Sequence, residues 1–222
     1  MTESLQINFY NTLNSRFVGE RYRLIRSDSL LSFNQNDVDL LKYYNIKNII
    51  DLRSKVEIYI NVCCYPEFIK YKNIPLHIDG ILPTKSADVG EFYFSICKDG
   101  TAVGDVLSSI ADADGGTVYF CRSGKDRTGI ITGIILALSG YSDEYIAHDY
   151  SITEKYLNET IEKWLITHPQ YEKEAVYPRE RHILTLLSLI RREYESVENY
   201  CLKIGLDPTQ ILRLQRMCRF LK

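Results

Sequence analysis

Between residues 116 and 138 the chain reads GTVYF, then CRSGKDRTG, then IITGIILAL. The first run has the length and β-branched content of a buried strand. The last is apolar on nearly every side, as a helix enclosed by other elements must be. Strand, loop and buried helix in that order form the unit of a parallel α/β sheet. Between two segments that demand burial lie Arg122, Lys125, Asp126 and Arg127. Clustered charge beside a core is destabilising unless it binds something.

The flanking segments agree with an α/β reading. YRLIRS (22–27) has strand character, and 32–45 reads as a helix opened near Ser32 and closed near Asn45. IKNIIDLRS supplies a β-branched strand ending at Asp51, Leu52 and Arg53, and YKNIPLHI (71–78) a second. Residues 83–99, with Pro83 and Gly90, read as irregular. Val103, Val106, Leu107 and Ile110 then make the stripe of an amphipathic helix over 101–111. Beyond Gly140 the chain turns helical. One helix opens at Ser142 and runs through SDEYIAHDYSITEKYL, one begins at Pro178, and one is capped by Asp207 with Pro208 in its first turn. The expected fold is a three-layer α/β domain covering 1–222, with a mostly parallel sheet of four or five strands, helices on both faces and a helical C-terminal part. Its site should lie beyond the carboxyl end of the strand that leads to Cys121.

Bulk properties exclude several function classes. With 45% apolar and 25% charged residues the chain can bury a core, and a net charge of −2 gives no electrostatic footprint for nucleic acid or an anionic membrane. The most apolar stretch is too short to span a bilayer and is punctuated by glycines. The N-terminal stretch has no basic start followed by an apolar run, so a cytoplasmic protein without a membrane span is expected. Six cysteines at 63, 64, 97, 121, 201 and 218 show no zinc spacing, so no metal and no other cofactor is expected. Five read as packing or incidental thiols, although Cys63 and Cys64 leave a resolving thiol open. Cys121 reads as chemical.

Random placement would yield a Cys-x5-Arg with Gly third after the Cys and Ser/Thr after the Arg only about 0.003 times in such a chain, so the cluster is not incidental. Where a strand gives way to a helix, successive backbone N–H groups and the helix N-terminus form an anion cradle. A cysteine at its base has its thiolate favoured. Arg127 offers a planar fork for two phosphate oxygens, Thr128 a hydroxyl to the departing thiolate, and Ser123 and Gly124 close backbone approach. Arg122 and Lys125 add positive charge. Together they describe attack by Cys121 on a phosphomonoester, a cysteinyl-phosphate intermediate and its hydrolysis. A loop that binds phosphate but turns nothing over stays open.

CRSGKDRTG resembles the signature of the protein tyrosine phosphatase superfamily, in the GKDRTG form of the atypical bacterial and fungal tyrosine/dual-specificity enzymes. YRLIRSDSL, the Asp51 to Ser54 motif with Glu57, LALSGYSDEYIAHDY and YESVENYCLKIGLDPTQILRLQ extend the similarity over about residues 20 to 217. The resemblance implies phosphorylated protein, phosphotyrosine first, or phosphoinositide as substrate, and Asp126 as general acid. Asp126 can equally brace Arg127, and Asp51, Asp79, Asp88 and Asp99 are rival acids. The family usually has histidine where this chain has Phe120. That departure implies a less favoured thiolate, activity that rises toward higher pH, and a catalytically weak phosphate binder as the alternative. A sulfurtransferase or arsenate reductase also pairs a loop cysteine with arginine, but the GKDRTG continuation speaks against both.

Overall fold

The computed structural model describes residues 5–76 and 83–219. Among these residues five strands form one sheet: β1 (Arg16–Phe17), β2 (Leu24–Ser27), β3 (Ile46–Asp51), β4 (Lys70–Asn73) and β5 (Gly116–Phe120), in the order β1-β2-β5-β3-β4. β1 runs antiparallel to its neighbour, and the other described pairs are parallel. The expected fold class, a mostly parallel sheet between helices, is the observed one.

β5 is central and wholly buried, which is why it reads as an unbroken apolar run. Its side chains alternate between two cores. Tyr119 and Cys121 join Leu24 and Ile50 on one face, and Val118 and Phe120 join Ile25 and Ile49 on the other. Register places Ser27, Phe120 and Asp51 in one row. The next residues, Asp28, Cys121 and Leu52, therefore leave the sheet at the same level, and the loops that follow them meet.

The helices are α1 (Gln35–Tyr43), α2 (Lys55–Ile60), α3 (Val89–Asp99), α4 (Thr101–Ala111), α5 (Asp126–Leu138), α6 (Asp143–Ser151), α7 (Thr153–Thr167), α8 (Lys173–Val176), α9 (Glu180–Tyr194), α10 (Val197–Lys203) and α11 (Pro208–Cys218). Buried α5 lies against α9 and α11. Asp207 caps α11 with Pro208 in first position, and Ser142 caps α6, both as expected.

Four readings need correction. Residues 89–99 are helical rather than irregular: Val89, Tyr93 and Cys97 make a buried stripe, and Gly90 lets α3 press on α9 where a Cβ would stand 2.4 Å from Thr185. α1 starts after Asn34, whose side chain and that of Asp37 form a reciprocal cap, rather than near Ser32. The helix read continuously from Ser142 is divided at Ile152 into α6 and α7. Pro178 precedes the N-cap of α9, Arg179, instead of occupying its first turn. In the segment read as a strand over 71–78, β4 accounts for Lys70–Asn73, and residues 77 and 78 lie outside those described.

Candidate active site

The loop from Cys121 to Lys125 joins β5 to α5, and its carbonyls are claimed from behind. Ser29 Oγ donates to the Cys121 carbonyl at 3.2 Å, and Ser29 N and Oγ donate to the Arg122 carbonyl at 3.2 and 3.1 Å. Asn14 Nδ2 donates to the Ser123 carbonyl at 3.0 Å, and Arg26 Nη2 to the Gly124 carbonyl at 2.9 Å. Peptide planarity turns the amides of residues 122–125 the opposite way, toward the cavity. Gly124 has φ +67°, and a Cβ there would stand 2.6 Å from the Ser27 carbonyl, so this bend suits no other residue.

Beneath the loop lies a buried ionic cluster. Asp149 receives Arg26 Nη1 at 2.5 Å and Arg16 Nε at 3.1 Å, and Arg16 Nη2 also donates to the Asp149 carbonyl at 2.6 Å. Two guanidiniums face one carboxylate, which leaves an excess of positive charge behind an anion cradle. Burial, with Arg26 alongside, brings Arg16 down to about 10.

Arg127, in the first turn of α5, holds both oxygens of Glu57 at 2.7 Å through Nη1 and Nη2, and Nη1 also reaches the Leu52 carbonyl at 3.3 Å. Its Nε is buried without a partner among the described residues. The fork is thus fixed by its end, while the Nε/Nη2 edge keeps donors for an oxyanion. Burial alone would raise the Glu57 carboxyl, but Arg127 and the Ser54 backbone N–H outweigh it and bring Glu57 down to about 2. Thr128 Oγ1 is likewise buried without a partner among the described residues.

Above the loop opens a cavity of about 430 Å³. Cys121, Arg122, Ser123, Lys125, Asp126 and Arg127 line its floor. Phe92 of α3, Leu157, Ile161 and Trp164 of α7, and Tyr171 contribute apolar and aromatic walls. Arg122 is exposed, whereas the Lys125 ammonium is drawn to the Val176 carbonyl and lies 3.4 Å from Asp126 Oδ1. Asp126 Oδ1 also accepts the Tyr93 hydroxyl.

The match to the tyrosine phosphatase family runs over residues 9–219. The chain belongs to that family. It is 31% identical to a tyrosine-protein phosphatase of Nostoc commune over 119 residues, which is 47% of this chain and 40% of that relative, so the match spans less than half of the relative's length. Among solved structures it is similar to TpbA of P. aeruginosa, with TM-score 0.45 and 15% identity over 91% of this chain and 97% of that one. It is also similar to the core catalytic domain of the PP-IP phosphatase SIW14 from S. cerevisiae, with TM-score 0.40 and 16% identity over 73% and 97% of the two chains.

In this tyrosine phosphatase family member Cys121, Arg122, Ser123, Lys125, Asp126 and Arg127 meet at one cavity, whereas Gly124, Thr128 and the described rival acids do not line it. Asp51 is fully buried and spent: its oxygens receive Arg53 Nε and Nη2 and the Tyr71 hydroxyl at 3.1 Å or less, and it does not line the cavity. Asp88 and Asp99 do not line it either, and Asp79 lies outside the described residues. Two lining carboxylates escaped a role in the sequence reading. Glu57 holds Arg127, and Asp28 accepts the backbone N–H groups of Leu13 and Asn14 at 3.0 to 3.2 Å while burial raises its pKa. The S-x-x-E pattern from Ser54 to Glu57 is a capping signal that the sequence reading passed over, and nothing in the sequence marks Glu57 as the arginine's partner. All six thiols are free, and burial pushes Cys97, Cys201 and Cys218 up to about 12.

Proposed function

We propose that this chain is a cysteine-dependent phosphatase acting on phosphomonoesters, foremost protein phosphotyrosine, and that residues 1–222 serve as one phosphatase domain in the cytoplasm, where six free thiols persist. The observation that carries this reading is Cys121 at the base of a loop with four carbonyls pulled away from the cavity, faced by the unused edge of a clamped arginine. The family match and the name of the curated relative support the substrate class.

In the first step Cys121 Sγ, as thiolate, forms a bond to phosphorus and the ester P–O bond breaks. The leaving oxygen takes its proton from Asp126. The loop amides, those of Arg122, Ser123, Gly124 and Lys125, together with Arg127, hold the equatorial oxygens, where charge concentrates. In the second step a water attacks phosphorus, gives its proton to the Asp126 carboxylate and releases inorganic phosphate and the thiolate, with help from the Thr128 hydroxyl. Neither step calls on a metal or an organic cofactor.

Apolar and aromatic walls suit an aryl ester. Of the two extra cations, Lys125 is engaged by Val176 and Asp126, which leaves Arg122 alone for a further phosphate and favours phosphotyrosine over phosphoinositide. The test is turnover of p-nitrophenyl phosphate, a phosphotyrosine peptide and a phosphoinositide, with Cys121→Ser as control. The expected order is peptide above lipid, with the variant inactive. Tight phosphate binding without turnover would establish the inert binder instead, and lipid above peptide would overturn the substrate assignment.

A further inference from the structure

Asp126 does not stand alone in the cavity floor. Its Oδ1 accepts the hydroxyl of Tyr93, which α3 carries into the cavity wall almost fully buried, and the Tyr93 and Tyr150 hydroxyls lie 2.7 Å apart. Tyr150, on α6, can come this close because Gly129 of the signature has no side chain: a Cβ there would stand 2.8 Å from the Tyr150 ring. Lys125 Nζ reaches the same Oδ1 at 3.4 Å. Oδ2 accepts no hydrogen bond from the described residues.

We infer that Tyr93, backed by Tyr150, is a positioning residue for Asp126: it ties one carboxyl oxygen to the buried helix face and leaves the other for the leaving group. The inference rests on the phosphatase reading with Asp126 as acid. Burial, followed by Asp126 itself, raises Tyr93 well above its ordinary range, so it remains a donor throughout the working range. The other groups facing Asp126 are Lys125 and Arg127 beside it in the chain, Tyr150 on α6 and His182 on α9. Burial and Lys125 bring His182 down to about 4, so it stays neutral above that pH.

The experiment compares Tyr93→Phe and Tyr150→Phe with wild type on phenyl phosphate, a poor leaving group, and p-nitrophenyl phosphate, a good one, across pH. For Tyr93→Phe the plateau kcat on phenyl phosphate should fall about tenfold and that on p-nitrophenyl phosphate less than about threefold, because only the poor leaving group needs the proton. KM for both esters should stay within about twofold of wild type. Tyr150→Phe, which leaves the Tyr93–Asp126 bond in place, should show a smaller loss with the same selectivity and carries the test should Tyr93→Phe fail to fold. Equal losses on both esters would overturn the inference. A second readout needs no turnover: the NMR chemical shift of the Asp126 carboxyl carbon in Cys121→Ser, read at one fixed pH, should change once Tyr93→Phe is added, and an unmoved signal would overturn the inference. An inactive wild type would sink the phosphatase reading, while this signal still decides whether Tyr93 holds Asp126.

Discussion

Glu57→Gln should separate two functions that one carboxylate performs. Glu57 Oε2 accepts the Ser54 backbone N–H at 2.8 Å, closing the cap of α2, and the same side chain grips Arg127 through both oxygens. Glutamine keeps a cap acceptor but presents an NH2 group to a guanidinium that can only donate. The depression of Glu57 from 4.5 to about 2 measures its preference for the ionised, paired state. With the carboxylate partly exposed, solvent screening cuts the value of that pairing to on the order of 2 kcal/mol. If Arg127 must be held for the transition state, kcat should fall about thirtyfold, vanadate affinity should fall with it, and KM should change little. Ser54→Ala is the control: it removes the hydroxyl that caps the Glu57 N–H, should cost about 1 kcal/mol of stability and should leave kcat near wild type. A Glu57→Gln enzyme with kcat within twofold of wild type, or a Ser54→Ala enzyme equally slow, would refute the idea that Glu57 orients the clamp. A carboxyl with a depressed pKa contributes its full stabilisation above pH 4.5 and loses it only as pH falls through about 2. Activity lost between pH 5 and 7 therefore has another source.

Asp149→Asn should lower stability by about 3–5 kcal/mol in urea melts, because Arg16 and Arg26 would stay buried without a counter-charge; a loss under about 1 kcal/mol would show that the cluster is not needed. Asp51→Asn should also destabilise, yet leave the ratio of rates on phenyl and p-nitrophenyl phosphate within about twofold of wild type, since Asp51 serves Arg53 and Tyr71; a selective loss on phenyl phosphate would make it an acid after all. His182 is held neutral with its pKa lowered from 6.5 to about 4, so its contribution is present above pH 6.5 and drains away as pH falls toward 4. His182→Gln should flatten that slope, which amounts to on the order of 2 kcal/mol in melts run at pH 4.5 and 7. Phe120→His should lower stability by about 0.5–2 kcal/mol through loss of the contact with Arg53, whose guanidinium carbon lies 5.1 Å from the ring centre; unchanged stability would mean that the contact contributes nothing.

What the sequence displayed and what it hid follow from how local each signal is. The floor of the site is one contiguous segment between two buried runs, so Cys121 and Arg127 could be picked out by spacing, and Asp126 by the segment's resemblance to the phosphatase signature. Asp207-Pro208 and Ser142 announce helix starts because caps are local chemistry. α2 went unread because Val56, Tyr59 and Ile60 are exposed and give no stripe toward a core. α3 went unread because Gly90 and the preceding Pro83 look like loop residues until α9 is seen packed against that glycine. The walls were out of reach for a different reason. Phe92, Trp164 and Tyr171 reach the cavity from elements far apart in the chain, and only the shared level at which parallel strands end brings them over Cys121.

The same strand geometry changes how position 120 should be understood. Phe120 precedes Cys121 in the chain, but the alternation of β5 sends its ring into the opposite core, beneath Arg53, so a side chain there has no direct path to the sulfur. Its connection to the signature loop runs through the backbone. The Leu52 N–H donates to the Phe120 carbonyl at 2.9 Å, and the Leu52 carbonyl accepts Arg127 Nη1 at 3.3 Å. Asp51 holds Arg53 over the Phe120 ring, and Ser54 caps the helix that presents Glu57 to Arg127. Four consecutive residues, Asp51 to Ser54, thus register the central strand against the arginine fork. Substituting Asp51 or Arg53 would slow catalysis by letting Arg127 move, leaving the chemistry of the thiol itself unaltered.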